Sequence, residues 1–129
     1  MLDVLFYHGI VITMAGERVG EGIIEDGAVG IRGNHIVAVG KSDIVCAQYQ
    51  AHRTIDVGGN VLLPGFVDGH MHSALGLFRG LAQDTDEWLH TCIWPLREAM
   101  EPEEATKGSM LVLAEAVKNG TTTICDFDT

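Results

Sequence analysis

Two apolar runs set the limits on what this chain can fold into. The first, Asn60-Val61-Leu62-Leu63, continues through Phe66-Val67; the second is Thr121-Thr122-Thr123-Ile124-Cys125-Asp126-Phe127, rich in β-branched residues. Helical patterns fill the interval between them. A strand followed by helices and a second strand is a crossover unit, whose strands pair in parallel. Parallel sheets are covered on both faces, and an all-parallel barrel takes eight such units over roughly 250 residues. With 129 residues, the chain is expected to be the N-terminal part of a longer protein. A complete small α+β domain is the alternative.

The organisation divides near residue 60. Residues 1–60 are Gly-rich and β-like, with Val4-Leu5-Phe6-Tyr7 and Ile10-Val11-Ile12 as short apolar runs. Gly33-Asn34, between Ala28–Arg32 and His35–Val39, predicts a tight hairpin, since both residues tolerate positive φ. Ser42-Asp43 predicts the cap of a short helix running to Tyr49. In residues 61–129, Gly76 and Gly80 argue against a long helix after His72, and Pro95 is expected to break or kink a helical stretch from Asp84 to Met100. Glu101-Pro102-Glu103-Glu104 reads as the first turn of a clearer helix, in which Met110, Leu113, Ala114 and Val117 form one apolar stripe and Asn119-Gly120 is the stop.

Composition excludes several partners. Eighteen acidic against eight basic residues give a formal charge of −10, which repels phosphate backbones and argues against nucleic acid. The acids concentrate between Asp84 and Glu104, a pattern expected of a solvated helical face. No apolar run approaches the roughly 20 residues needed to cross a bilayer, and the N-terminus lacks the features of a signal peptide. Cys46, Cys92 and Cys125 are odd in number and far apart, so neither a disulfide framework nor a metal knuckle is suggested and a cytoplasmic location is the expectation.

The chemistry concentrates at His70-Met71-His72, where the first of the two apolar runs ends. Strand side chains alternate faces, so the two histidines are expected to point the same way, with Phe66 and Asp68 on that face. Two imidazoles supply half of a four-coordinate metal site; two solvated histidines at a strand end are the plainer reading. Nothing else in the sequence clearly completes a site. Asp126 and Asp128 alternate onto one face of the second strand, where a structural role outweighs ligation, and Cys125 opposite them reads as packing.

Pro64-Gly65-Phe66-Val67-Asp68-Gly69-His70-Met71-His72 resembles the first-strand signature of the amidohydrolase superfamily of metal-dependent hydrolases. The continuation Ser73–Ala82, with Glu87-Trp88-Leu89, Ile93-Trp94-Pro95 and Gly120-Thr121-Thr122-Thr123, is similar to the branch containing methylthioadenosine/S-adenosylhomocysteine deaminases and triazine chlorohydrolases. Essentially the whole chain is covered. The resemblance implies an α/β fold in which residues 1–60 form the N-terminal part of a small β-sandwich domain. Residues 61–129 would then be the first βα unit and second strand of a (β/α)₈ TIM barrel.

The resemblance also implies the chemistry. His70 and His72 would be ligands of zinc, or of iron or another divalent metal, at the C-terminal face of the barrel. Asp68 would orient a ligand or accept a hydrogen bond behind it. Glu87 would grip ribose hydroxyls, with a surface helix carboxylate as the plainer reading. Apart from the resemblance, Trp88 and Trp94 have flat apolar faces suited to stacking on a planar heterocycle, and core or lid packing is the plainer reading for both. The segment before Glu87 is shorter than in those deaminases. A metal-activated hydroxide would attack an electron-poor ring carbon of a purine, adenine nucleoside or related nitrogen heterocycle and release ammonia. The remaining ligands and the proton shuttle are expected beyond residue 129, so the isolated chain is expected to bind metal weakly and to be inactive. Two other readings stay open: a triazine-type chlorohydrolase or alkylaminohydrolase, and a non-catalytic scaffold that needs a partner polypeptide. Uncovered sheet edges predict self-association, with a homo-oligomer as one outcome.

Overall fold

The structure, a computed structural model, describes residues 1–127. The chain forms two compact units, Met1–Pro64 and Gly65–Thr129. In the first, strands β1 (Leu2–Ile12), β2 (Ile23–Arg32), β3 (His35–Lys41), β4 (Ala51–Asp56) and β5 (Val61–Leu62) make one mixed sheet, with helix α1 (Ser42–Gln48) between β3 and β4. The order is β3-β2-β1-β4, and β5 also pairs with β1. The β2–β3 hairpin turns at Gly33-Asn34 as the sequence predicts. Gly33 has φ +60° and donates its N–H to Asp3 Oδ2 at 2.6 Å. Leu2, Leu5, Ala28 and Val45 form the core, flanked by Tyr7, Ala38, Tyr49 and Ala51.

Strand β1 has to pair in parallel with β4 through Leu2–Tyr7 and then with β5 through Ile10 and Val11. The change of partner occurs at His8, whose φ of +55° places a non-glycine residue in the left-handed region. Such a conformation costs about 1–3 kcal/mol and persists where its surroundings hold it. Here the His8 N–H donates to Ser42 Oγ at 2.9 Å, its carbonyl accepts from Gly59 N–H at 2.7 Å, and Nδ1 lies 3.1 Å from Asp56 Oδ2. Ser42 is therefore not the helix cap expected from its position. The cap residue is Lys41, and the buried Ser42 hydroxyl serves His8 instead.

In the second unit, β6 (Phe66–Met71) pairs in parallel with β7 (Thr121–Asp126). Between them lie a 3₁₀ turn at Ser73–Phe78, a π-helical turn at Leu89–Ile93, α2 (Trp94–Ala99) and α3 (Pro102–Lys118). Pro95 changes the helical pitch rather than ending the helix. It sits in the first turn of α2, immediately after the π turn, where its missing N–H is tolerated. Helix α3 begins with Pro102 in its first turn and a reciprocal capping box: Glu104 Oε2 accepts from Glu101 N–H at 2.9 Å, and the Glu101 side chain caps the Glu104 backbone.

The apolar stripe of α3 is not its packed face among the described residues. Met110 is 66% and Val117 73% exposed, whereas Gly108 is buried. The helix instead packs its small-residue side on the Ser73–Phe78 turn. A Cβ on Gly76 would collide with the Val112 side chain, and one on Gly108 would collide with the Ala74 carbonyl. The contact is extended by a two-pronged ion pair from Arg79 to Glu115, 2.7 Å and 3.3 Å, between groups that are both well exposed. Each partner favours the charged state of the other, holding the Glu115 carboxyl below its ordinary range.

Two outcomes follow. Gly108→Ala gains about 1 kcal/mol of helix propensity but overpacks a backbone contact at about 1–3 kcal/mol, so the net sign is destabilising. A lowered urea midpoint checks this, and a raised one would mean the contact yields freely. Asp56 is held below its ordinary value of 3.8 first by the Gly58 N–H and then by the His8 side chain. Its stabilisation is therefore complete above the unfolded pKa and is lost as pH falls through the folded one. The urea midpoint of Asp56→Ala should lie below wild type at neutral pH, and the two should converge as the pH falls through the lowered folded-state pKa of Asp56.

Candidate metal centre

The site is built at the ends of β6 and β7. Because the strands are parallel, both chains leave the sheet at the same edge, bringing Met71, His72 and Ser73 beside Asp126 and Phe127 although some 55 residues separate them in sequence. Register is not uniform. Asp68 pairs with Ile124 and Met71 with Asp126, so β6 spends one more residue than β7 over this stretch. Such a bulge re-aims side chains next to a site. Strict alternation, which would put Asp68 on the face of His70 and His72, is thereby interrupted.

The two histidines come together all the same. Their ring centroids are 4.8 Å apart and nearly perpendicular, at 85°. His72 Nδ1 lies 2.7 Å from the Phe127 carbonyl. A carbonyl only accepts, so Nδ1 carries the proton in the neutral ring and Nε2 is left with the lone pair a metal requires. The Phe127 ring stacks near His70, with centroids 6.4 Å apart at 25°, and meets His72 edge-on at 6.0 Å. Phe127 is the residue that sequence reasoning missed. Its role rests on a backbone oxygen, which no side-chain pattern reveals; the parallel pairing of the two runs was the only available signal.

The donor set suits a borderline-soft divalent ion such as zinc, for which imidazole is a common ligand. It is half a tetrahedral set. Among the described residues no group of three or more His, Cys, Asp or Glu side chains is placed to hold a metal. Asp68 does not reach an imidazole; its Oδ1 accepts from the backbone N–H of His70 at 3.2 Å. Asp126 joins Ser73, and Asp128 lies outside the described residues. Cys125 is exposed rather than packed.

Glu87 and Trp88 lie on the segment preceding the π turn. Glu87 has φ +54°, and its carbonyl accepts from the N–H groups of His90 and Thr91 at 2.9 Å and 3.0 Å, which starts that turn. Trp88 is half exposed, and His90 packs edge-on against Trp94 at 4.1 Å. Among the described residues neither Glu87 nor Trp88 makes a hydrogen bond or ring contact with the histidine pair.

Comparison with known proteins places this geometry in a family context. Residues 61–129 match the amidohydrolase family. A 5-methylthioadenosine/S-adenosylhomocysteine deaminase of Syntrophobacter fumaroxidans is 41% identical over 97% of this chain and 28% of its own length. An adenosine deaminase from Xanthomonas campestris, solved with bound zinc, superposes with a TM-score of 0.88 at 32% identity over 98% of this chain and 29% of its own. The triazine hydrolase of Arthrobacter aurescens superposes with a TM-score of 0.73 at 29% identity over 98% and 28%. The chain thus spans less than a third of the length of these relatives, and its fold class is that of the start of their α/β fold.

The carbonyl contact makes a direct prediction. In metal-free protein at alkaline pH, ¹⁵N spectra of the imidazoles should report His72 as the Nδ1–H tautomer. Finding the proton on Nε2 would remove the Phe127 carbonyl from the site.

Proposed function

The chain belongs to the amidohydrolase family, and from that premise we propose that it is the N-terminal portion of a zinc-dependent aminohydrolase acting on an adenine nucleoside or a related amino-heterocycle. The observation that carries the reading is the His70–His72 pair, with ring centroids 4.8 Å apart and His72 Nδ1 directed to the Phe127 carbonyl. The 41% identity to a deaminase of 5'-substituted adenosines, over nearly the whole chain, supports the substrate class. The triazine hydrolase is less similar, at 29% identity, which ranks dechlorination second.

His70 and His72 would hold the ion. When bound, a divalent metal supplies Lewis-acid activation of water at neutral pH. The chain's own part is to orient that chemistry: the end of β6 presents both imidazoles beside the end of β7, with the Phe127 ring stacked near His70 and its carbonyl facing His72. In the overall reaction, water oxygen is transferred to the amino-bearing ring carbon and the amino group leaves as ammonia. The exposed Trp88 offers a flat face to a heterocycle, and Glu87 an acceptor to ribose hydroxyls. The domain reading goes with this: residues 1–60 belong to a small β domain, and residues 61–129 open a TIM barrel.

Ammonia release by the full-length protein tests the proposal. Turnover of 5'-methylthioadenosine, S-adenosylhomocysteine or adenosine should be lost on chelation, regained with zinc, and reduced to background in His70→Ala and His72→Ala. Absence of turnover with adenosines, guanine and cytosine would overturn it; chloride or alkylamine release from triazines alone would establish the second reading. A folded, metal-free, inactive protein would leave the scaffold.

A further inference from the structure

The residues after the histidine pair are tied to β7 more heavily than strand pairing requires. Phe127 N–H donates to the Met71 carbonyl at 2.9 Å, and His72 Nδ1–H donates to the Phe127 carbonyl at 2.7 Å. Ser73, only 2% exposed, then uses both of its donors on one carboxylate: its N–H lies 3.0 Å from Asp126 Oδ1 and its hydroxyl 2.5 Å from Asp126 Oδ2. These hydrogen bonds interleave Met71-His72-Ser73 with Asp126-Phe127.

The network reaches a third element. Ser73 Oγ and Ser109 Oγ, the latter on α3, are 2.8 Å apart. An ionised carboxylate only accepts, so the Ser73 proton goes to Asp126, and the Ser109 hydroxyl supplies the proton shared between the two serines. Donors to a carboxylate form the stronger class of hydrogen bond. Asp126 therefore sits where strand, turn and helix meet, one residue from the carbonyl that orients His72.

We infer that Asp126 is a positioning residue for the metal ligand His72, acting through Ser73 on one side and the Phe127 carbonyl on the other. Without the carboxylate, the Ser73 N–H and hydroxyl lose their shared acceptor, and the turn that fixes the exit direction of His72 is released. The adjoining Phe127 carbonyl then no longer faces Nδ1 in one fixed place, so the ring can rotate and exchange tautomers. Groups that orient metal-bound histidines typically change metal affinity 10- to 100-fold when removed. The inference rests on the metal role proposed for His72, and its test separates the two.

The experiment uses the full-length protein, titrated with zinc against a competing chelator and with Co(II) followed by its visible spectrum, alongside the melting temperature of the metal-free form. Asp126→Ala should weaken zinc binding by about 10- to 100-fold and alter the Co(II) bands. Asp126→Asn, which keeps one acceptor oxygen, should recover part of the loss. Should Asp126→Ala fail to fold, Ser73→Ala takes its place and should weaken binding in the same direction by a smaller factor. Wild-type metal affinity and spectrum in a folded Asp126→Ala or Ser73→Ala variant, with only the melting temperature lowered, would overturn the positioning role while leaving the metal reading intact. Zinc binding unchanged in His72→Ala, or absent in wild type, would overturn the metal reading and the positioning role with it.

Discussion

The parallel pairing of β6 with β7 is the constraint on which the rest of the second unit depends. Parallel strands need a long crossover, and the crossover here supplies the 3₁₀ turn, the π turn and both helices. They also end at the same edge, so the residues leaving β6 and those leaving β7 become neighbours without any contact between their side chains being needed beforehand. The bulge after Asp68 then adjusts which side chains face the site. In an antiparallel pair the end of one strand would lie beside the start of the other, and His72 would have no Phe127 carbonyl to meet.

The first unit solves a different problem with the same economy. One strand, β1, serves two parallel partners in succession, and the left-handed His8 is the joint between them. The Asp56 carboxylate and the Gly58 N–H close the joint from one side and the Ser42 hydroxyl from the other. His8 and Asp56 are both about half exposed, so their charge interaction is screened by water; the backbone hydrogen bonds around His8 are what make its conformation tolerable.

Much of this was legible in the sequence. The Gly33-Asn34 hairpin, the Glu101–Glu104 helix start, the Asn119-Gly120 stop and the strand–helix–strand order of residues 61–127 all follow from local chemistry that tertiary contacts do not override. The histidine pair was legible because its spacing and its flank agree. What was not legible depends on partners distant in the chain. Ser42 reads as a cap until His8 claims its hydroxyl, the apolar stripe of α3 gives no hint that Gly108 makes the packed contact, and the register shift between Asp68 and Met71 has no signature in Asp68-Gly69-His70 itself.

The long separation between the two halves of the histidine latch bears on the order in which the unit matures. Closing a loop of 55 residues carries an entropic cost that local turns do not, so the β2–β3 hairpin and helix α3 can organise early while β6 waits for β7. During synthesis, a chain that has emerged only through Lys118 already displays both imidazoles but has neither the Asp126 carboxylate nor the Phe127 carbonyl to direct them. The geometry of the histidine pair therefore belongs to the completed crossover rather than to the strand that carries it.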